Sequence, residues 1–375
     1  MDDSLGSIYF LGNIDHQIQF FKKVINFKNY YELQSGVEPR QEYVFEEKRP
    51  GEGNFIYMDF NKDGIRQIYE YVYAPEIDTA RFVRFQLYNS EYIQIYQSSW
   101  NNFFTVDARN LVKRQNGFLK VLAGFSFESG LRFSSKVSTD SKVQDRLNPV
   151  YFIKNGSDLI AYSASVQQSL YFNRAHPVYE FQAAYLYNGQ RVLLTSGMDE
   201  KKLFNPFFKG RWSLFGFMDF KLEYFFKSDE KLSQFYVDQN YRIATNGILP
   251  ELAFRFRKDV RMNVGAAFKR ADEQIHQLDK ARIFEMKNSY AMLINNKLTV
   301  RSELKYISIQ FEGTKGSLVE FNMLDSYKDG NNFNWEFGLD YKISSLLQLQ
   351  LNYNGRKAAE NETLHTGRIQ LRANF

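Results

Sequence analysis

Residues Asp59 to Glu70 read "DFNKDGIRQIYE", with the spacing of an oxygen-ligand cation loop. Asp59, Asn61 and Asp63 fall at positions 1, 3 and 5, Gly64 at position 6 and Glu70 at position 12. In such a loop alternate side chains point at one centre and the glycine permits the sharp turn. A backbone carbonyl at position 7, here Ile65, adds an oxygen, and the last carboxylate binds through both of its own. The chemistry implied is calcium binding, with Asp59, Asn61, Asp63, Ile65 and Glu70 as candidate ligands. Two features depart from a paired helix–loop–helix site: position 8, usually aliphatic, is Arg66, and no helical pattern flanks the loop. Asn-Lys-Asp-Gly is also good turn chemistry, so a plain surface turn is the competing reading.

Catalysis finds little support. His16, His176, His276 and His365 are far apart in sequence and lack metal-ligand spacing. No GxSxG, HExxH or glycine-rich phosphate loop occurs, and nothing arranges a Ser, His and carboxylate set, so a non-enzyme is expected. Cysteine is absent, which removes disulfides and thiolate metal sites. The net charge of +5 is small for 375 residues, and Lys and Arg are scattered, so no nucleic-acid partner is expected.

The elements that must position the loop are strands. Aromatics make up 17% of the chain, yet only 44% is hydrophobic and the mean hydropathy is −0.47, as long alternation of apolar and polar residues requires. The final stretch places Ile369, Leu371, Ala373 and Phe375 on one face and Arg368, Gln370, Arg372 and Asn374 on the other. Leu347, Leu349, Leu351 and Tyr353 alternate with Gln348, Gln350 and Asn352, and Phe333 to Ile343 repeats the pattern across Ser344-Ser345. Leu298, Val300, Leu304 and Tyr306 alternate with polar residues, and Leu252, Phe254 and Phe256 are answered by Met262, Val264, Ala266 and Phe268 across a tight "RKDV" turn. Asn188-Gly189 reads as a hairpin turn, and "FLKVLAGFSF", "SASVQQSLYF" and "LFGFMDFKLEYFF" as further strands. "ADEQIHQLDKAR" is the best helical candidate and is mostly polar.

Strands of about 9 to 13 residues exceed the usual soluble strand of about five or six. One face is crowded with Phe, Tyr, Trp and Leu while the other carries charges of both signs, which suits lipid outside and water inside better than a soluble sandwich. No apolar run of about 18 residues offers a transmembrane helix. The expectation is therefore all-β: an antiparallel transmembrane β-barrel of outer-membrane type, roughly 14–16 strands, in the outer membrane of a Gram-negative bacterium, with a polar extramembrane insertion near residues 46–80. Counting back from Phe375 at the periplasm puts "RKDV" outside and the long "RADEQIHQLDK" loop inside, against the usual pattern of short periplasmic turns. The lumen-facing Arg301, Glu303, Lys305, Arg368 and Arg372 either tune solute passage or pair with one another to fill the barrel.

"VEFNMLDSYKDGNNFNWEFGLDYKISSLLQLQLNYNGRKAAENETLHTGRIQLRANF" resembles the C-terminal barrel region of large, functionally uncharacterised outer-membrane β-barrel proteins of Bacteroidota. Those show "MLxGxxxGxNxxW", "LQLxLxYxGRK" and "HTGxxxxRAxF" in succession. Met323-Leu324, Asn332, Trp335, Gly355-Arg356-Lys357 and His365-Thr366-Gly367 match, and Ser326 stands where a Gly is usual. The stretch from Tyr30 to Phe85 is similar to a segment of the same proteins, so the resemblance spans both ends of the chain. It implies fold and location and no chemistry. It further implies that residues 1–375 are the C-terminal part of a longer protein, consistent with an acidic N-terminus that lacks signal-peptide regions. The terminal strand ending at Phe375 resembles the signal read by the barrel assembly machinery. Lipid is the expected partner, together with a small solute or polypeptide cargo. The expected function is a pore or export channel; a non-catalytic barrel anchor for a surface-binding or structural module is the alternative.

Overall fold

Long alternation becomes a wall of antiparallel strands in the computed structural model, which describes residues 11–21, 24–75, 79–108, 118–360 and 362–373. The strands are β1 (Leu11–Phe20), β2 (Ile25–Glu47), β3 (Phe55–Tyr57), β4 (Tyr71–Tyr73), β5 (Phe82–Asp107) and β6 (Phe125–Ser138). They continue as β7 (Leu159–Phe172), β8 (Tyr179–Leu194), β9 (Gly197–Leu214), β10 (Met218–Ser233), β11 (Tyr241–Arg257) and β12 (Val260–Glu273). The last are β13 (Lys280–Ile294), β14 (Leu298–Glu312), β15 (Gly330–Lys342), β16 (Leu347–Ala358) and β17 (Leu364–Ala373). Short helices α1 (Phe118–Ala123), α2 (Val143–Arg146) and α3 (Leu318–Met323) lie in connections, and no described helix is long and apolar enough to cross a membrane.

All seventeen strands belong to one sheet. β3 and β4 form a small hairpin inside the insertion, and the other fifteen make an up-and-down barrel wall, each antiparallel to the next, β2 pairing directly with β5. The register keeps the two faces apart. Phe254 lies opposite Met262, Leu252 opposite Val264, Leu304 opposite Trp335 and Leu351 opposite Ile369, all outward, while Lys221 lies opposite Glu251 and Glu223 opposite Lys209, both inward. Lipid supplies no hydrogen bonds, so a wall of this composition crosses as paired strands; the chain is a β-barrel of the bacterial outer membrane. Among the described residues no pairing joins β1 to β17; both are exposed on both faces, and they run in the same direction.

Apart from the β5–β6 connection that carries α1, turns at one end are short, as at 215–217, 258–259, 295–297 and 343–346, and β17 finishes there; this is the periplasmic end. The opposite mouth carries the long connections 48–81, 139–158 and 313–329. The parity conflict in the sequence therefore disappears. "RKDV" is the periplasmic β11–β12 turn, and the connection through Gln274–Asp279 is external. The miscount arose at "ADEQIHQLDKAR", which is no helix but the end of β12, a loop and the start of β13. Two further readings are corrected. Asn188-Gly189 lies inside β8, paired with Ser165 and Ala164 on one side and Leu203 and Lys202 on the other. A Cβ on Gly189 would stand 2.6 Å from the Tyr187 hydroxyl, so this glycine makes room for rings and turns nothing. In "FLKVLAGFSF" the first residues form α1, and β6 begins at Phe125.

Candidate functional site at the barrel mouth

The β2–β5 ladder runs past Ile95–Ser138, where β6 stops pairing, on to Glu47–Phe82. Pro39 has no N–H to give, and the ladder slips by two residues between Pro39 and Gln41. Beyond that irregularity the hairpin leans inward, and the Gln41 carbonyl accepts the Thr195 N–H at 3.0 Å from the β8–β9 turn. The insertion at its tip folds on its own aromatics. Phe45 stacks on Tyr71 at 3.9 Å, and Phe55 meets Tyr73 at 4.4 Å. Gly53 passes so close to β5 that a Cβ would lie 2.6 Å from the Phe82 nitrogen.

From there the segment reaches the far wall. Phe60 and Tyr69 are buried against Tyr241 and Ile243 of β11, Ile283 of β13, Ile307, Ile309 and Phe311 of β14, and the residues of α3. Phe60 meets Phe321 edge-on at 6.1 Å, and Tyr69 meets Tyr236 at 4.8 Å. The seat is apolar because the inward face of β14 changes character along its length. Arg301, Glu303 and Lys305 face the lumen lower down, and Ile307, Ile309 and Phe311 continue the same row at the mouth. A cavity of about 830 Å³ remains beneath the insertion, bounded by Tyr43, Tyr71, Arg84, Glu200, Lys231 and Tyr241. The insertion expected near 46–80 is thus extramembrane, and it lies across the mouth as a plug.

Within the plug the cation-loop residues converge. Carboxylate oxygens of Asp59, Asp63 and Glu70 lie within 4.8 Å of one another. The backbone adopts the turn that the spacing requires, with φ of +60° at Lys62 and +72° at Gly64, the latter a conformation glycine takes without strain. The Gly64 N–H donates to Asp59 Oδ2 at 3.0 Å, and the Ile65 N–H donates to Asp63 Oδ1 at 2.7 Å. Asn61 sits beside Asp63, its Nδ2 donating to Asp63 Oδ2 at 2.7 Å. Ile65 projects its side chain into solvent, leaving its backbone as the part relevant to the loop. Arg66, the residue that departs from the motif, turns away, lying 5.4 Å from the Tyr57 ring and 5.5 Å from the Phe82 ring.

Glu70 is the distinctive member. It is 0% exposed, and its Oε2 accepts the Gln67 N–H at 3.0 Å. Its Oε1 has no hydrogen-bond partner among the described residues, and neither does the buried Oδ1 of Asp59. Burial raises the Glu70 carboxyl above its ordinary range; the Gln67 N–H opposes this, and the charges of Asp59 and Asp63 add to it. A buried carboxylate oxygen without a donor is costly unless a cation or proton meets it. The residues at positions 1, 5 and 12 therefore form an all-oxygen cluster that could bind a metal ion.

Below the plug the lumen is lined by paired charges. Lys209 meets Glu223 at 2.8 Å, Lys221 meets Glu251 at 2.8 Å, Lys287 meets Glu303 at 2.8 Å, and Arg301 pairs with Asp340. Glu285 is held by Lys269 at 2.5 Å and Lys305 at 3.1 Å. Most of these side chains keep substantial solvent contact, and cavities of about 420 and 620 Å³ run along the charged face. Of the five lumen charges singled out in the sequence, Arg301, Glu303 and Lys305 are each paired with a neighbouring strand. Arg368 lines the second cavity, and Arg372 lies opposite Gln348 near the periplasmic end. Phe375 lies outside the described residues.

No protein-family model and no curated protein matches the chain. Among solved structures it is similar to a loop L8 deletion mutant of OmpT, an outer membrane protein of Vibrio cholerae, at 8% identity over 90% of this chain and 99% of that one, TM-score 0.37. It is also similar to a deltaS2 mutant of the TodX monoaromatic hydrocarbon channel, at 13% identity over 76% and 84%, TM-score 0.29. A triple mutant of Rhodopseudomonas blastica porin aligns at 10% identity over 91% and 100%, TM-score 0.26.

Proposed function

We propose that the barrel is a passage protein, a pore or export channel for polar solutes or polypeptide, and that its mouth cluster takes calcium. The observation that supports passage is the lumen wall, whose charges pair across neighbouring strands yet stay wet. Paired charges of both signs give a polar path without a strong field of either sign, which suits mixed or neutral cargo more than selective ion conduction. Calcium suits the mouth because the donors are all oxygen and include three carboxylates, and the loop faces the external solution. The purified protein in planar bilayers should pass ions in discrete steps. Under the alternative reading, a barrel that anchors a surface module, it would conduct nothing even with residues 50–79 removed.

A further inference from the structure

The two cluster residues that close the loop are each adjacent in sequence to a plug anchor. Asp59 precedes Phe60, and Glu70 follows Tyr69. Phe60 and Tyr69 are the insertion's buried contributions to the apolar seat on β11, β13 and β14. The spacing between the anchors is therefore set by the distance between the first and last positions of the loop. A cation joined to Asp59 and Glu70 fixes that distance. Without one, Glu70 Oε1 and Asp59 Oδ1 have no donor among the described residues, and three carboxylates crowd within 4.8 Å of one another next to the hydrophobic contacts that hold the plug.

We infer that the loop is a calcium clamp on the plug: calcium bound by Asp59, Asn61, Asp63, Glu70 and the Ile65 carbonyl holds Phe60 and Tyr69 in register with their seat and keeps the external mouth closed. Loss of calcium separates the carboxylates, releases one or both anchors and opens the mouth. The ion is hard and its ligands are oxygens, so magnesium, which demands a tighter octahedral set, substitutes poorly. A site facing the outside of the cell needs only an affinity matched to external calcium, in the range of about 10⁻⁴ to 10⁻³ M. The clamp rests on the passage reading only for its effect on flow, and its structural half is tested separately.

The test joins two measurements on the full chain. Lys62 and Arg66 are exposed within the loop, so trypsin reports whether the plug is held. Cleavage after these residues should be slow in about 1 mM calcium, several-fold faster in chelator, and fast in magnesium. Glu70→Gln, which removes a ligand and its charge together, should lose the response to calcium and cleave at one rate in every condition. Asp63→Asn, at an exposed ligand away from the seat, is a second variant should Glu70→Gln fold poorly, and should need more calcium for the same protection. Bilayer conductance should follow cleavage: low in calcium and several-fold higher in chelator for the wild-type chain, unresponsive to calcium for Glu70→Gln, and lowered only by more calcium for Asp63→Asn. Cleavage of the wild-type chain at one rate with and without calcium overturns the clamp. Calcium-protected cleavage with conductance unchanged by calcium, in a barrel that conducts more once residues 50–79 are removed, overturns the gate. If even that shortened barrel does not conduct, the passage reading fails, while calcium-dependent cleavage still upholds the clamp.

Discussion

The face assignment makes a graded prediction on one strand. On β14 the outward residues from Leu298 to Ser308, which sits opposite the outward Phe284, span the apolar band. Ten residues at about 3.4 Å rise and about 40° tilt give a height of about 26 Å, close to the apolar band of about 25 Å expected of such barrels. Leu304 then lies about 3 Å from the midplane, and it is 60% exposed on the lipid side. Leu304→Arg should therefore cost about 2–4 kcal/mol of barrel stability. Gln310 faces outward two register steps beyond Ser308, about 18 Å from the midplane and level with Arg282. Gln310→Arg should cost about 0–1 kcal/mol, of which repulsion from Arg282 is a few tenths. Urea unfolding of both variants in lipid vesicles, followed by tryptophan fluorescence, measures the difference. Equal costs, or a larger one for Gln310→Arg, would mean that the outer face does not meet a bilayer where the alternation says it does.

Three further outcomes follow from the site and wall. Phe60→Ala removes a buried ring from the seat and should weaken plug docking by about 3–5 kcal/mol, seen as lost amide-exchange protection in residues 55–73 with the wall unchanged. In chelator the Glu70 carboxyl has a folded-state pKa above its unfolded value. Ionisation therefore opposes docking, and protection should rise as pH falls toward the unfolded pKa near about 4.3; with calcium bound the trend reverses, because the carboxylates must be ionised to hold the metal. Gly355 lies under Trp335, where a Cβ would stand 2.0 Å from the indole ring, so Gly355→Ala should destabilise by about 1–3 kcal/mol and shift the tryptophan emission.

Most of the wall was legible because lipid and water impose opposite demands on alternate residues, and β15 through β17 alternate without interruption. The convergence of Asp59, Asp63 and Glu70 was legible from spacing alone, since all three lie within one short segment. The plug's seat was harder to read, yet it leaves a mark. On β14 the apolar residues occupy even positions through Tyr306 and odd positions from Ile307 to Phe311. Such a change of phase inside one strand means that the buried side has moved from lipid to lumen. The destination of the insertion was not legible, because contacts from Phe60 to Phe321 join distant parts of the chain and no local pattern encodes them. β13 was lost to sequence reading because its inward Glu285 and Lys287 make a polar-looking segment beside a loop.

The leaning β2–β5 hairpin also dictates an order of events. Its tip belongs to the first strands of the chain, but the surface it rests on is assembled from β11, β13, β14 and α3. Neighbouring strands of the meander meet through short turns, whereas the tip must wait until nearly the whole circumference between β5 and β14 has formed and curved. Loop-closure entropy makes such a contact slow and places it late. Biogenesis of this barrel therefore passes through an unstoppered stage, and the time spent there is governed by how quickly Phe60 and Tyr69 find a landing site that exists only once the wall is built.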